Sequence, residues 1–274
     1  MARHTAIAWT ESTWNPVTGC DQASPGCDSC YAMRLAPRLK AMGSRRYQND
    51  GTPPTSGPGF GVTIHHDLLG QPLSWRTPAV VFVCSMADLF HPRVPDDFIT
   101  QVFAVMAASP RHTYQVLTKR HARLLALLSR TQFADQVLTR AAALPSRDPI
   151  TAPTWPLSNV WVGVSVEDQQ RASQRIPALT STPAVVRFLS CEPLLEQIDI
   201  TTWLPDLDWV IAGGESGPDH RPLDPQWARS LRDQCTHARV PFFFKQWGGR
   251  TPTSGGHLLD GRVHHDRPVA ASHP

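Results

Sequence analysis

The sequence predicts an α/β protein built as a parallel (β/α) barrel, full or partial. Three observations carry that prediction. Six runs of strand length recur along the chain, and they are apolar on both faces, as buried parallel strands are. Segments of helical spacing lie between them, and such alternation makes βα units. Each run also leads into small or polar residues, where barrel chemistry gathers.

In chain order, a first strand is expected within residues 7–19, just ahead of a cysteine-rich loop. The six clear runs are AVVFVCS (79–85), TYQVLTK (113–119), VWVGVSV (160–166), AVVRFLS (184–190), LDWVIAGG (207–214) and VPFFFKQ (240–246). Helices are expected over 96–108, entered through Pro95, and over 120–128, 167–179 and 224–238. In the last of these, Asp224-Pro225 reads as an N-cap followed by Pro at the first helical position. Two stretches interrupt the alternation. Residues 43–77 are rich in Gly and Pro and read as an insertion or lid, and 129–158 hold a short helix (132–144) and a Pro-rich connector. The reading is thus one domain over 1–249, followed by a polar, partly disordered tail over 250–274.

Composition narrows the function class. The 274 residues carry 26 Lys+Arg against 23 Asp+Glu, a net +3, so the chain is no polycation built to coat nucleic acid. No apolar run approaches the roughly 20 residues of a bilayer span, and the N-terminus lacks a signal-like apolar core; no membrane association and a cytoplasmic location are expected. Pro is abundant, at 26 residues, and predicts stiff loops. The basic residues comprise 23 Arg and only three Lys (Lys40, Lys119 and Lys245).

Three of the six cysteines fall within eleven residues: Cys20, Cys27 and Cys30, in GCDQASPGCDSCYA. A disulfide framework does not suit a cytosolic chain of this length, so the trio reads as metal ligands. Three thiolates fit an iron–sulfur cluster with one iron left open. A zinc loop completed by a distant His, Asp or Cys is the alternative. Cys84, Cys191 and Cys235 lie in strand or helix segments and read as small buried hydrophobes.

The strand ends offer further candidates: Ser85, Met86 and Asp88; Thr118 and Lys119; Ser165 and Glu167; Ser190 and Glu192; Gly213, Gly214, Glu215 and Ser216; Lys245 and Gln246. Lys is a compact cation that changes protonation state more readily than Arg, and two of the three Lys stand here. Ser85–Asp88 also reads as a turn cap, and His91 as a loop histidine. Trp9, Trp14, Trp161 and Trp247 suit either base stacking or the core. Arg34, Arg38 and Arg45 lie on spacings compatible with one helix face, where a solvated face is the default.

The segments WTESTWNPVTGC, SPGCDSCYA, SMADLFHPRVPDDF, QVLTKRHARL, NVWVGVSVEDQ, RFLSCEPLL, WVIAGGESG and FFFKQWG, in this order over about residues 7–248, resemble the phage Gp37/Gp68 family (DUF5131). That resemblance implies a radical S-adenosylmethionine-like protein of TIM-like fold. It implies a [4Fe–4S] cluster on Cys20, Cys27 and Cys30, with S-adenosyl-L-methionine on the open iron. It further implies reductive cleavage to a 5′-deoxyadenosyl radical for hydrogen abstraction, with nucleic acid or a nucleotide as the substrate class. An electron donor of flavodoxin or ferredoxin type and a three-Cys-motif partner protein are the implied partners. Cofactor contacts would come from Ser85, Asp88, Lys119, Ser165, Glu167, Glu192, Gly213, Gly214, Glu215 and Lys245. Two departures stand out. The cysteine spacing is C-x6-C-x2-C instead of C-x3-C-x2-C, and the Gly-Gly-Glu tripeptide follows about the sixth strand instead of the second. The competing function is a non-catalytic nucleic-acid- or partner-binding protein with structural zinc.

Overall fold

The computed structural model describes residues 5–147, 153–251 and 253–268. The chain falls into two compact units, interleaved in sequence: residues 1–22, 32–161 and 182–185 form unit 1, and residues 23–31, 162–181 and 186–274 form unit 2.

Unit 1 opens with the short strands β1 (Ser12–Trp14) and β2 (Val17–Thr18). Helix α1 (Tyr31–Ala41) begins at the residue after Cys30. The 43–77 stretch holds β3 (Thr63–Ile64), α2 (His66–Leu69) and α3 (Gln71–Ser74), and β3 pairs antiparallel with β2. Then come β4 (Val80–Val83), α4 (Asp96–Ala107), β5 (Thr113–Thr118), α5 (His121–Leu128) and α6 (Thr131–Ala142). β1, β4 and β5 are neighbours and parallel. Helix α4 buries Phe98, Ile99, Val102, Phe103, Val105 and Met106. Phe103 meets Phe133 of α6 edge-on at 5.5 Å, the geometry that aromatic quadrupoles favour.

β6 (Val160–Ser165) is buried at every position. Unit 2 continues with α7 (Gln169–Thr180), β7 (Val186–Cys191), β8 (Trp209–Gly213), α8 (Pro225–Ala238) and β9 (Phe242–Gln246). β7, β8 and β9 pair in parallel. Val210, Ile211 and Ala212 are fully buried; a side chain such as Ile211 contributes about 1.5–3 kcal/mol when removed from water. Phe188, Trp209 and Phe243 form an aromatic row, with centroids 5.8 and 6.0 Å apart. Gly163 is required by this packing, because a Cβ there would stand 2.6 Å from the Phe188 ring. The Asp224 side chain accepts from Gln226 N–H, capping α8 as expected, and Asp168 caps α7 the same way.

The strand order is β1-β4-β5-β6-β7-β8-β9, so strands neighbour one another in chain order and the series has two ends. This is the parallel α/β topology of a partial (β/α) barrel, the fold class the sequence predicts. Within the stretch read as a tail, His265 bridges Phe243 and Leu259 is fully buried; residues 269–274 lie outside the described residues. Among the described residues no helix is long and apolar enough to cross a membrane.

Candidate functional site

In unit 1 the chain enters the cysteine loop through Gly19. Its φ is +85°, and a Cβ would fall 2.3 Å from the Gly61 carbonyl oxygen, so only glycine fits. The Gly19 N–H donates to Met86 O at 2.9 Å, which brings Cys20 beside the segment after β4. Cys20 is half-buried, with its Sγ 3.4 Å from Asp21 O. Cys84, at the end of β4, is fully buried. Burial pushes its thiol up, and Asp88 and Cys20 nearby push the same way.

Asp21 is the hub of a polar network. Its carboxylate accepts from Arg93 Nη2 at 2.7 Å and Thr55 Oγ1 at 3.0 Å, and it faces His91 Nε2 at 2.9 Å. Burial raises this carboxyl, but hydrogen bonds from Ser56, Thr55 and Arg93 outweigh burial and hold it down at about 2. Arg120 Nη2 donates to Asp21 O at 2.9 Å. Buried His91 is pushed down by desolvation despite the carboxylate beside it.

Of the unit 1 strand-end candidates, Asp88, Thr118 and Lys119 are joined by hydrogen bonds. Asp88 accepts from Phe90 N at 2.9 Å, Thr118 Oγ1 at 2.7 Å and Lys119 N at 3.0 Å. It therefore caps its own turn and ties β4 to the end of β5, the turn-cap reading of that segment. Ser85 Oγ lies 3.1 Å from Asn15 Oδ1.

In unit 2, Cys27 and Cys30 sit in a tight turn. Cys27 N–H donates to Ser24 O at 2.8 Å, Cys30 N–H to Cys27 O at 3.2 Å, and Ala23 N–H points at Cys27 Sγ at 3.5 Å. Three strand-end carboxylates of this unit each hold a cation. Glu167 and Arg175 form a buried pair at 2.9 Å, and Arg175 Nη1 also donates to Ser165 O at 2.7 Å. Glu192 pairs with Lys245 at 2.6 Å. Glu215 pairs with Arg221 at 2.5 Å. Burial raises the Glu215 carboxyl, but the Arg221 hydrogen bonds and charge win and hold it below its ordinary value. Gly214 answers to backbone packing, since a Cβ would stand 1.9 Å from Trp247 O, while one on Gly213 would meet the Glu192 side chain at 3.3 Å.

The structure thus groups Cys20, Ser85, Asp88 and Lys119 in unit 1. Cys27, Cys30, Ser165, Glu167, Glu192, Gly213, Gly214, Glu215 and Lys245 fall in unit 2. Trp9, Trp14 and Trp161 are buried and belong to the core. Arg34, Arg38 and Arg45 are exposed. Sequence reasoning missed Asp21, Arg93, Arg120, Arg175 and Arg221, because nothing in a loop or helix sequence announces which distant carboxylate or carbonyl an arginine will meet.

The six cysteines divide chemically. Cys20, Cys27 and Cys30 are half-exposed. Burial pushes the Cys191 thiol well up and the Cys235 thiol to about 12, as it raises Cys84, so these three stay protonated. Thiolates are the metal-binding form. The loop trio therefore fits thiolate ligation by its donor chemistry, and the buried trio does not. Among the described residues no three His, Cys, Asp or Glu side chains stand together as a ready metal site.

These features define an α/β protein of sequentially ordered parallel strands, with a half-exposed cysteine loop between the first strand and the rest. By its match over residues 4–268, the chain belongs to the family described as "Protein of unknown function (DUF5131)". No curated protein matches. Among solved structures, the chain is similar to a spore photoproduct lyase carrying a Cys-to-Ser substitution, at 11% identity and TM-score 0.43, covering 88% of this chain and 65% of that one. It is also similar to spore photoproduct lyase complexed with a dinucleoside spore photoproduct, at 10% identity and TM-score 0.39, covering 82% and 60%. The chain spans less than two thirds of the length of either structure.

Proposed function

We propose that this chain is a radical S-adenosylmethionine enzyme that carries a [4Fe–4S] cluster on Cys20, Cys27 and Cys30 and acts on a nucleic acid or nucleotide. The observation that carries the reading is the division of the six thiols: the three in one loop are half-exposed, and burial pushes up the three elsewhere. A bound cluster would supply the electron that cleaves the sulfonium of S-adenosylmethionine, chemistry that belongs to the cofactor. The chain's own residues hold and orient. Gly19 and the Met86 carbonyl fix the approach to Cys20, and the hydrogen-bonded turn at 24–30 sets Cys27 and Cys30. Ser85, Lys119 and Ser165 are the proposed cofactor contacts at strand ends, with Glu192 and Lys245 as a pair that would have to open to reach a ligand. Asp88, Glu167 and Glu215 spend their oxygens on partners within the fold. The proposed partners are a flavodoxin- or ferredoxin-type electron donor and a three-Cys-motif protein.

The test is anaerobic reconstitution with iron and sulfide, reduction by dithionite, and chromatography for 5′-deoxyadenosine and methionine, with Cys30→Ala as control. Product above the control supports the reading. A colourless, zinc-loaded protein that gives no product overturns it in favour of a binding protein.

A further inference from the structure

Among the cofactor contacts expected from the resemblance, Glu215 of Gly213-Gly214-Glu215 would offer its carboxylate to the cofactor's amino group. In the folded chain that carboxylate is already filled. Glu215 Oε2 accepts from the Arg221 main-chain N–H at 2.8 Å and from Arg221 Nε at 3.0 Å, and Oε1 accepts from Arg221 Nη2 at 2.5 Å. The Ser29 hydroxyl donates to it as well. A carboxylate offers about four acceptor sites, and these four donors occupy them.

The Arg221 guanidinium reaches beyond Glu215. Nη2 also donates to Pro25 O at 2.8 Å, and Nη1 lies 3.3 Å from Asp28 Oδ2. Arg221 therefore grips the chain on both sides of Cys27, and Ser29, beside Cys30, is held by the same carboxylate. The turn is backed from another side by Glu167, whose Cδ a Cβ on Gly26 would approach to 3.1 Å. The Arg221 side chain spreads four donor contacts over a planar fork, which the three donors on a single Lys nitrogen do not reproduce.

We propose that Arg221, oriented by Glu215, is a positioning residue for Cys27 and Cys30, and that the Gly-Gly-Glu segment serves the cysteine turn instead of a ligand's amino group. The role of those thiols as cluster ligands rests on the function proposed above. Removing this guanidinium would take one positive charge from the turn that carries Cys27 and Cys30, which disfavours the added negative charge of a reduced cluster.

Two readouts besides turnover test this. In protein without metal, Arg221→Gln should speed amide hydrogen exchange over residues 25–30 by about tenfold or more, the worth of one charge-assisted hydrogen bond or better, while exchange in β8 and α8 stays at the wild-type rate. In reconstituted protein, it should lower the cluster's midpoint potential and alter its EPR line shape. Arg221→Lys should restore the potential more than the exchange protection, because it keeps the charge and loses the fork. Glu215→Gln, a smaller change, gives the same exchange effect in weaker form and serves if Arg221→Gln does not fold. Wild-type protein that takes up no iron overturns the cluster reading. Wild-type protein that loads, with exchange, potential and line shape unchanged in Arg221→Gln and Glu215→Gln, overturns the positioning role alone.

Discussion

Replacing Glu167 by Gln removes one charge from a pair that water barely reaches. The Glu167 and Arg175 side chains are 0% and 4% exposed, and their oxygens and nitrogens meet at 2.9 and 3.5 Å. Gln keeps the shape but presents a neutral amide to a guanidinium that stays buried. Removing one partner of such a pair costs about 3–5 kcal/mol, because the remaining charge is left uncompensated in a poorly polarisable interior. At about 2–4 °C per kcal/mol for a chain of this size class, the thermal midpoint should fall by about 6–20 °C. The assay is thermal and urea unfolding of wild type, Glu167→Gln and the double variant Glu167→Met/Arg175→Met. The double variant should recover most of the loss, since replacing both charges by apolar groups of similar volume is often near neutral. A Glu167→Gln protein within about 1 kcal/mol of wild type would refute the reasoning, because that is the range of a solvent-exposed pair.

Alkylation should label the half-exposed Cys20, Cys27 and Cys30 in the native, metal-free protein. Cys84, Cys191 and Cys235 should label only on unfolding, and mass spectrometry of the labelled peptides reads the division. Gly214→Ala should destabilise by about 1–3 kcal/mol through its clash with the Trp247 backbone, and Gly213→Ala by less, since only the flexible Glu192 side chain must yield; equal effects in denaturant unfolding would contradict this. Asp260 is held down at about 2 by hydrogen bonds from Arg229 and Arg232. A carboxylate depressed in the fold stabilises above its unfolded value of about 3.9 and loses that contribution as pH falls through the folded value. Limited proteolysis should therefore show residues 258–266 loosening between about pH 4 and pH 2, and Asp260→Asn should show the loosened state already at neutral pH.

Much of the fold was legible because its sheet is parallel and covered on both faces. Runs such as VWVGVSV and LDWVIAGG then carry a continuous apolar signal bounded by small and polar residues. Helix α8 was readable at its start, where Asp224 and Pro225 supply the cap. Helix α1 was not among the expected helices: it contains Pro37, a residue that argues against a helix interior. The pairing of β2 with β3 was hidden for another reason, since Val17 and Ile64 meet across 46 intervening residues and two-residue strands carry no periodicity. At the site, residue types were visible and partners were not. Glu167, Glu192 and Glu215 could be picked out as strand-end carboxylates. That each would hold a cation, and that Arg221 would reach back to Pro25 and Asp28, follows from tertiary placement alone.

The central claim is that Cys20, Cys27 and Cys30 together hold an iron–sulfur cluster. The most direct measurement is iron and acid-labile sulfide content, with the EPR spectrum of the reduced state, in anaerobically reconstituted wild type and in the six single Cys→Ala variants. The account predicts a four-iron, four-sulfide cluster that is lost in Cys20→Ala, Cys27→Ala and Cys30→Ala and kept in Cys84→Ala, Cys191→Ala and Cys235→Ala. A cluster that survives any of the first three substitutions, or zinc in place of iron and sulfide in the wild type, would contradict it.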